Sequence, residues 1–307
     1  MTDKLTFDGR VVIVTGAGRG LGRAYAAEFA ARGAKVVVND AGFALDGTQG
    51  DREPADSAVA AIIDAGGEAI ANYGDVSRAE DAAALVDAAT AKWGRIDVLV
   101  SNAGNLRHKG LLETDAEDLL SMVNSHVVGA LRLVQHVWPH MTKAGYGRIV
   151  LTSSQVGMYG QPNLVGYGTA KAAVLGLLAG LKVEAQNGPI KVSAVCPFAL
   201  TRMAPPTFPA SQSAWLAPEK VAPAVICMAH ESWEGQGEAI VAGAGHFALA
   251  RAVETRGVDF DSPEAITAEA LAARAAELRE LDGFRAPVSA SAAIAPDFAR
   301  LDRLAAS

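Results

Sequence analysis

Short runs of apolar, mostly β-branched residues alternate along the chain with alanine-rich stretches whose apolar positions recur at helical spacing. The runs are RVVIVTG, AKVVVND, GEAIANYGDV, RIDVLVSNAG, GRIVLTSS, IKVSAVCP and GEAIVAGAG. Because they are apolar throughout, we expect strands that are covered on both faces, as in a parallel sheet between two helical layers. Helices are predicted over residues 20–32, 78–93 and 116–144. The pattern predicts an α/β fold, a doubly wound Rossmann-like domain.

This alternation ends near residue 250, which divides the chain into two parts. We predict a Rossmann-like domain over residues 5–250 and a C-terminal extension over residues 251–307 that is helical and in part irregular. In the extension, SPEAITAEALAARAAELREL predicts one amphipathic helix with Ser262 as N-cap and Pro263 at the first helical position. Within the domain, the proline-rich residues 197–218 predict either a flap over a binding crevice or an ordered surface loop.

Composition and charge exclude several classes of protein. The 307 residues carry a formal net charge of −7, which argues against nucleic acid or an anionic membrane surface as a partner. Cys196 and Cys227 are the only cysteines and form no CxxC pair, so we expect no disulfide framework and no metal site. The first residues lack the apolar run of a signal peptide, and no run reaches spanning length, so we expect a cytoplasmic protein.

The first predicted strand runs directly into TGAGRGLGRAYA, a glycine-rich turn that opens a helix. Glycine at such positions permits a tight turn, close approach of a pyrophosphate and close packing of helix on strand. The start of the helix also offers free N–H groups to phosphates. In this context the turn predicts a dinucleotide site rather than a plain connection. Its expected cofactor-binding residues are Gly16, Arg19, Gly20, Leu21 and Gly22.

Asp40 ends the second predicted strand, where a carboxylate can accept hydrogen bonds from the adenosine ribose and repel a 2′-phosphate. Arg19 acts in the opposite sense, because it could pair with that phosphate. Since the carboxylate lies closer to the ribose, the sequence favours NAD over NADP.

Two further motifs follow the third and fourth strands, at the sheet edge where open α/β sheets bind ligands. In GDV, Asp75 and Val76 are expected beside the adenine. In NAG, Asn102 is expected beside the ribose, with Ala103 and Gly104 next to it. A role as plain turn residues is the alternative for each motif.

Ser154 ends the fifth predicted strand, and the helix that follows carries Tyr167 and Lys171 at positions i and i+4. These two residues share a helix face, and a nearby ammonium favours the phenolate of a tyrosine. We therefore expect Lys171 to lower the pKa of Tyr167 and to bind the nicotinamide ribose. Ser154 would hold the substrate oxygen while Tyr167 exchanges the proton. An accidental surface pair is the structural alternative.

TGxxxGxG, NAG, the serine, YxxxK and a proline after the sixth strand, in this order, resemble the short-chain dehydrogenase/reductase family. The resemblance covers residues 7–245. It implies a Rossmann-like domain with a seven-stranded parallel sheet that assembles as a homodimer or homotetramer. It also implies that Pro197 contacts the cofactor, although PF stands here where the family has PG.

A narrower likeness lies in VVVNDAG, HMTKAGYGRIVLTSSQVGMYGQPN, KVAPAVICMAHES and VAGAGHFALAR. These resemble the dehydrogenase domain of peroxisomal multifunctional β-oxidation enzymes, which oxidise (3R)-hydroxyacyl-CoA with NAD, and related bacterial 17β-hydroxysteroid dehydrogenases. His126 stands where most of the family has asparagine, and the same subgroup has histidine there. The resemblance implies a proton-relay role for His126, and a helix-packing histidine is the alternative.

Three functions follow from these motifs. The first is an NAD-dependent oxidoreductase that acts on a secondary alcohol, a (3R)-hydroxyacyl-CoA above all, with Arg107, His108 and Lys109 as the basic residues nearest a CoA. The second is a dehydrogenase of a hydroxysteroid or another bulky apolar alcohol, which needs no basic mouth. The third is a catalytically silent dinucleotide-binding regulator, a class that typically lacks the tyrosine or the lysine.

Overall fold

A parallel sheet forms the centre of the fold. The computed structural model describes residues 4–44, 50–203 and 210–305. Within these ranges one sheet has the strand order β3-β2-β1-β4-β5-β6-β7-β8. The pairs β1–β2, β1–β4, β2–β3, β4–β5, β5–β6 and β6–β7 are all parallel. The strands are Val11–Thr15, Lys35–Asn39, Glu68–Asn72, Val98–Ser101, Gly147–Thr152, Ile190–Pro197, Glu238–Gly243 and His246–Ala250.

The described sheet has one strand more than the seven expected. Ala244 and Gly245 connect β7 to β8, and both have positive φ, 50° and 75°. A two-residue turn with left-handed conformation at both positions is a hairpin connection. Alanine seldom adopts this conformation, which is why AGAG did not indicate a chain reversal in the sequence.

The helices alternate with the strands, as the apolar pattern predicts, and the fold is the expected doubly wound α/β domain. Strands β1 and β5 are buried along their whole length, which agrees with their unbroken apolar character. The helices are α1 Gly20–Ala30, α2 Glu53–Asp64, α3 Ala79–Trp93, α4 Ala116–Val123, α5 Gly129–Ala144, α6 Val156–Tyr159, α7 Val165–Glu184, α8 Ala222–Ala229, α9 Ala268–Ala273 and α10 Ala290–Ala305.

The single helix expected over residues 116–144 contains a π-helical turn. Helix α4 ends at Val123, Asn124–Val128 form the π turn, and α5 continues from Gly129. Such turns inside α-helices often occur at functional sites. This one carries His126, which is buried.

Strand order creates a crevice at the carboxyl edge of the sheet. Strand β1 pairs with β2 on one side and with β4 on the other, so the chain reverses its direction of travel across the sheet between β1 and β4. Ligands bind at such switch points because the loops on either side diverge. The glycine-rich turn follows β1 and the NAG segment follows β4, so both motifs lie at this crevice.

The chain divides into two compact units, residues 1–249 and 250–307. In the second unit the expected single helix from Ser262 is absent. Residues Pro263–Ala265 form one 3₁₀ turn, and Ile266 then leaves the helical conformation. The Thr267 hydroxyl accepts a hydrogen bond from the Ala270 N–H at 3.1 Å and caps α9. Because threonine readily caps a new helix, the predicted helix is broken at this point.

Helix α10 occupies much of the part that was expected to be irregular. Its Arg300 pairs with Asp259 at 3.1 Å and donates to the Phe260 carbonyl at 2.8 Å, which fixes α10 to the start of the unit. In neither unit do the described residues include a helix that is long and apolar enough to cross a membrane.

Candidate active site

The turn after β1 leaves no room for side chains at three of its glycines, Gly16, Gly18 and Gly22. A Cβ on Gly16 would lie 2.9 Å from the Ala103 Cα, and Gly16 also has a positive φ of 61°. A Cβ on Gly22 would lie 2.2 Å from the Gly16 carbonyl oxygen. The first glycine therefore lets the β4 loop approach, and the last lets α1 pack on the turn.

The N-terminus of α1 faces the same crevice without a side-chain cap. Arg19 has extended backbone angles and its side chain makes no capping hydrogen bond. The first N–H groups of a helix have no partner within the helix, and its dipole attracts anions. An uncapped start beside a cavity fits the diphosphate of a dinucleotide.

Asp40 follows β2 and is held by the backbone on both sides. Its Oδ2 accepts from the Gly18 N–H and its Oδ1 from the Gly42 N–H, each at 2.8 Å. The carboxylate is largely buried and lines the cavity. Each oxygen can accept a further bond, so the carboxylate can still receive ribose hydroxyls.

The two turn motifs that follow β3 and β4 differ in what their side chains do. Asp75 and Val76 line the cavity, and Asp75 also accepts from the Ser77 N–H at 2.9 Å. Asn102 lines the cavity too, but its amide donates to the carbonyls of Thr15 and Gly16 at 3.0 and 3.2 Å. Its side chain thus ties the glycine turn to β4, and its expected place beside the ribose stays a prediction.

One cavity of about 520 Å³ joins most of these residues. Of the expected cofactor residues it is lined by Gly16, Arg19, Gly20, Leu21, Asp40, Asp75, Val76, Asn102, Ala103 and Gly104. Gly22, Pro197, Tyr167 and Lys171 are outside this lining. The lining also includes residues that the sequence argument did not assign to the cofactor, among them Phe43, Asn105, Ser125, Thr201 and Arg202.

Pro197 ends β6 and pairs with Ala242 of β7. The next residue, Phe198, donates its N–H to the Ala242 carbonyl at 3.0 Å, and its ring fills the space that a Cβ on Gly243 would need. The segment after it reaches the glycine turn, because Thr201 lies 3.3 Å from the position of a Cβ on Gly20. Residues 204–209 of the expected flap lie outside the described residues.

Ser154, Tyr167 and Lys171 meet just beyond β5. Ser154 is buried, and its Oγ accepts from the Val156 N–H at 3.1 Å. The Lys171 ammonium donates to the Thr152 carbonyl at 2.8 Å and lies 5.6 Å from the centre of the Tyr167 ring. A bond from the Ser153 hydroxyl to the Lys171 carbonyl, at 2.8 Å, fixes α7 to the end of β5.

Burial sets the pKa of both helix residues. It raises the pKa of Tyr167 to about 12, and hydrogen bonding with Ser154 opposes this rise. It lowers the pKa of Lys171 to about 7. The pKa of Tyr167 is therefore raised, and the expectation that it is lowered is wrong, since loss of hydration disfavours the charge on both groups.

His126 touches this cluster from the π turn. Its Nε2 lies 2.8 Å from the Asn105 carbonyl, which can only accept, so Nε2 carries the proton. The ring packs edge-to-face on Tyr167 with centroids 5.7 Å apart, and it occupies the space beside Gly104. Burial first, and then the charge of Lys171, hold the pKa of His126 well below its usual range. Its Nδ1 is therefore an acceptor at neutral pH.

Two of the basic residues expected near a CoA, Arg107 and Lys109, lie beside acidic side chains. Lys109 bonds to Asp118 and lies 3.6 Å from Asp115. Arg107 lines the cavity and lies 3.8 Å from Asp118. Both of these expected CoA contacts therefore lie beside carboxylates that offset their charge.

Three features together define a class of protein. They are a glycine-rich turn at the switch point, a carboxylate after the second strand, and a serine–tyrosine–lysine cluster at the same edge of the sheet. This class is the oxidoreductases that act on CH–OH groups with a nicotinamide dinucleotide.

Comparison with known proteins places the chain more narrowly. The model of the family described as short chain dehydrogenase matches residues 10–210, and the chain belongs to this family, whose members bind NAD(P). Mouse peroxisomal multifunctional enzyme type 2 is 42% identical over 257 residues, which are 84% of this chain and 35% of that protein.

Two solved structures are similar over nearly the whole chain. Full-length peroxisomal multifunctional enzyme type 2 from Drosophila melanogaster has a TM-score of 0.82 and 32% identity, covering 98% of this chain and 51% of that one. A short chain dehydrogenase from Mycobacterium avium has a TM-score of 0.76 and 34% identity, covering 92% and 98%. The chain spans only 30% to 40% of the length of the first three curated relatives that it matches.

Proposed function

We propose that this protein is an NAD-dependent dehydrogenase that interconverts a secondary alcohol and a ketone, with a (3R)-hydroxyacyl-CoA as substrate. One observation carries the proposal: the half-buried Tyr167 lies among the buried side chains of Ser154, Lys171 and His126, next to the cavity behind the glycine turn. When bound, the nicotinamide supplies or accepts the hydride. The protein's own residues hold the substrate oxygen and move its proton.

In this proposal Tyr167 exchanges a proton with the substrate oxygen, and Ser154 donates a hydrogen bond to the same oxygen. A pKa of about 12 keeps the proton on Tyr167 at neutral pH, which suits proton donation to a ketone. Loss of that proton is favoured when Lys171 is charged, and the pKa of Lys171 of about 7 puts this charge under the control of pH near neutrality.

His126 acts as a neutral acceptor in the relay behind the tyrosine. Its Nε2–H bond to the Asn105 carbonyl fixes the tautomer and leaves Nδ1 to accept a hydrogen bond from a relay water. Its contact with the tyrosine ring also holds Tyr167 in position. A histidine of this kind serves the relay without a charge of its own.

We assign NAD as the preferred cofactor because of Asp40. A carboxylate held by two backbone N–H groups at the end of β2 is rigid and negative, and it accepts ribose hydroxyls better than it tolerates a 2′-phosphate. The remaining contacts proposed for the cofactor are the cavity-lining residues named above, with Lys171 at the nicotinamide ribose.

The (3R)-hydroxyacyl-CoA assignment is supported by the multifunctional relatives, one of which is named a peroxisomal hydratase-dehydrogenase-epimerase. The pairing of Arg107 and Lys109 with Asp118 favours the alternative, a 17β-hydroxysteroid or another bulky apolar alcohol, because those cations are already partnered. The catalytically silent regulator is the least favoured, since tyrosine, lysine and serine are all present and in contact. The domain bounds 5–250 and 251–307, assembly as a homodimer or homotetramer, and cytoplasmic location stay predictions.

The test is NADH formation from two substrates side by side, a medium-chain (3R)-hydroxyacyl-CoA and a 17β-hydroxysteroid. We expect rapid turnover of the thioester and little of the steroid. The reverse would make the steroid the substrate, and turnover of neither, with cofactor binding intact, would support the silent regulator.

A further inference from the structure

A second arginine reaches the adenosine end of the cavity from a distant part of the chain. Arg202 follows β6, and its Nη1 donates to the Phe43 carbonyl, beyond β2, at 3.0 Å. Arg19, from the glycine turn, places its own Nη1 3.4 Å from the same oxygen. All three residues line the cavity, so two guanidinium groups converge at one point of its rim.

The backbone that carries Arg202 is held by contacts with the glycine turn and with Leu216. Thr201 packs on Gly20 of the glycine turn and accepts from the Met203 N–H at 3.2 Å. Just before it, the Leu200 N–H donates to the Leu216 carbonyl at 2.7 Å, and Leu216 is buried. The position of Arg202 is therefore set by tertiary contacts.

The charge at this point of the rim favours an anion. Burial and then the charge of Arg19 lower the pKa of Arg202, and the Asp40 carboxylate opposes them, so Arg202 interacts with both charged neighbours. Two guanidinium groups and one carboxylate leave a local charge of +1. Each guanidinium has five N–H donors in a planar fork that suits phosphate, and one carbonyl oxygen can accept only two of them.

We propose that Arg202 is a determinant of cofactor specificity, and that together with Arg19 it binds the 2′-phosphate of NADP. This inference rests on the proposed function and extends it: the enzyme uses NADP as well as NAD, in spite of Asp40. The carboxylate opposes the 2′-phosphate and the arginine pair offsets this opposition. In this account Arg202 exchanges its bond to the Phe43 carbonyl for bonds to the phosphate when NADP is present.

Calorimetric titration with ADP-ribose and 2′-phospho-ADP-ribose tests this without any substrate. Arg202→Gln should weaken binding of the 2′-phosphorylated compound about tenfold or more, the effect of losing a charge-assisted hydrogen bond, and change ADP-ribose binding by less than about twofold. Arg202→Lys, which keeps the charge but loses the fork, should fall between wild type and Arg202→Gln. The control is Arg23→Gln, which removes the same charge from an exposed position on α1, outside the cavity lining, and should alter neither affinity.

Two results would overturn the inference while leaving the proposed function intact. Equal loss for both compounds would place Arg202 on the diphosphate, and no loss for either would make it a structural contact to Phe43. If the wild-type protein bound neither compound, the proposed function would fail first. The variants' thermal unfolding, compared with wild type, shows that losses in affinity are not losses of fold, and Arg202→Lys serves if the glutamine variant is unstable.

Discussion

Replacing Lys171 by methionine should stabilise the protein relative to wild type more at acidic pH than at alkaline pH, because the replacement removes a buried charge. Burial lowers the pKa of Lys171 to about 7 in the folded protein, whereas an unperturbed lysine has a pKa of about 10.4. Between these values the unfolded chain binds the proton and the folded protein does not. The free energy of unfolding of the wild type therefore contains a contribution that rises with pH over this window.

The size of this contribution follows from the window. Of the range from about pH 6 to about pH 9, about two pH units lie above the pKa of Lys171 in the folded protein. Each unit corresponds to about 1.4 kcal/mol, so the free energy of unfolding of the wild type rises by about 3 kcal/mol over this range. Methionine also loses the bond to the Thr152 carbonyl, which costs about 1 kcal/mol at either pH. Only the difference between the two pH values isolates the buried ammonium.

The assay is urea unfolding of the wild type and Lys171→Met at the two pH values. At each pH we compare the free energy of unfolding of the variant with that of the wild type. We expect this difference to favour the variant by about 3 kcal/mol more at the lower pH than at the higher pH. Lys92→Met, which removes a lysine from an exposed position on α3, is the matched control and should show no such difference. If the variant's stability relative to wild type were the same at both pH values, Lys171 would keep its ordinary pKa and the burial argument would be refuted.

Four further changes test other parts of the account. Asp40→Ala should reduce the ratio of kcat/KM for NAD to that for NADP about tenfold. An unchanged ratio would show that Asp40 does not contact the ribose. Gly22→Ala should lower the free energy of unfolding by about 1–3 kcal/mol and weaken ADP-ribose binding, because its Cβ meets the Gly16 carbonyl. Gly176→Ala, with open space around it on α7, should instead stabilise by about 0.5–1 kcal/mol. Removing residues 251–307 should leave ADP-ribose affinity unchanged, and a large loss would give the extension a part in the site.

Features that depend on local backbone geometry could be predicted from the sequence. The spacing of Gly16, Gly20 and Gly22 predicted the turn because each glycine meets a steric requirement of that one turn. Tyr167 and Lys171 share a face because a helix has a fixed period. Unbroken apolar runs likewise predicted the buried parallel strands.

Features that depend on approach in three dimensions could not be predicted in this way. The amide of Asn102 bonds to the glycine turn only because β4 lies beside β1. Arg202 reaches Phe43 across 159 residues of sequence. The raised pKa of Tyr167 follows from burial, which the spacing of Tyr167 and Lys171 in the sequence does not reveal.

The central claim is that Tyr167 exchanges the proton of the reaction, and one rate measures this most directly. NADH formation from a (3R)-hydroxyacyl-CoA should be compared between wild type and Tyr167→Phe at saturating NAD. Phenylalanine keeps the ring that packs on His126 and removes only the hydroxyl. The account predicts a fall in kcat of about a hundredfold to ten-thousandfold, the range for loss of a general acid–base group. A kcat equal to that of the wild type would contradict it.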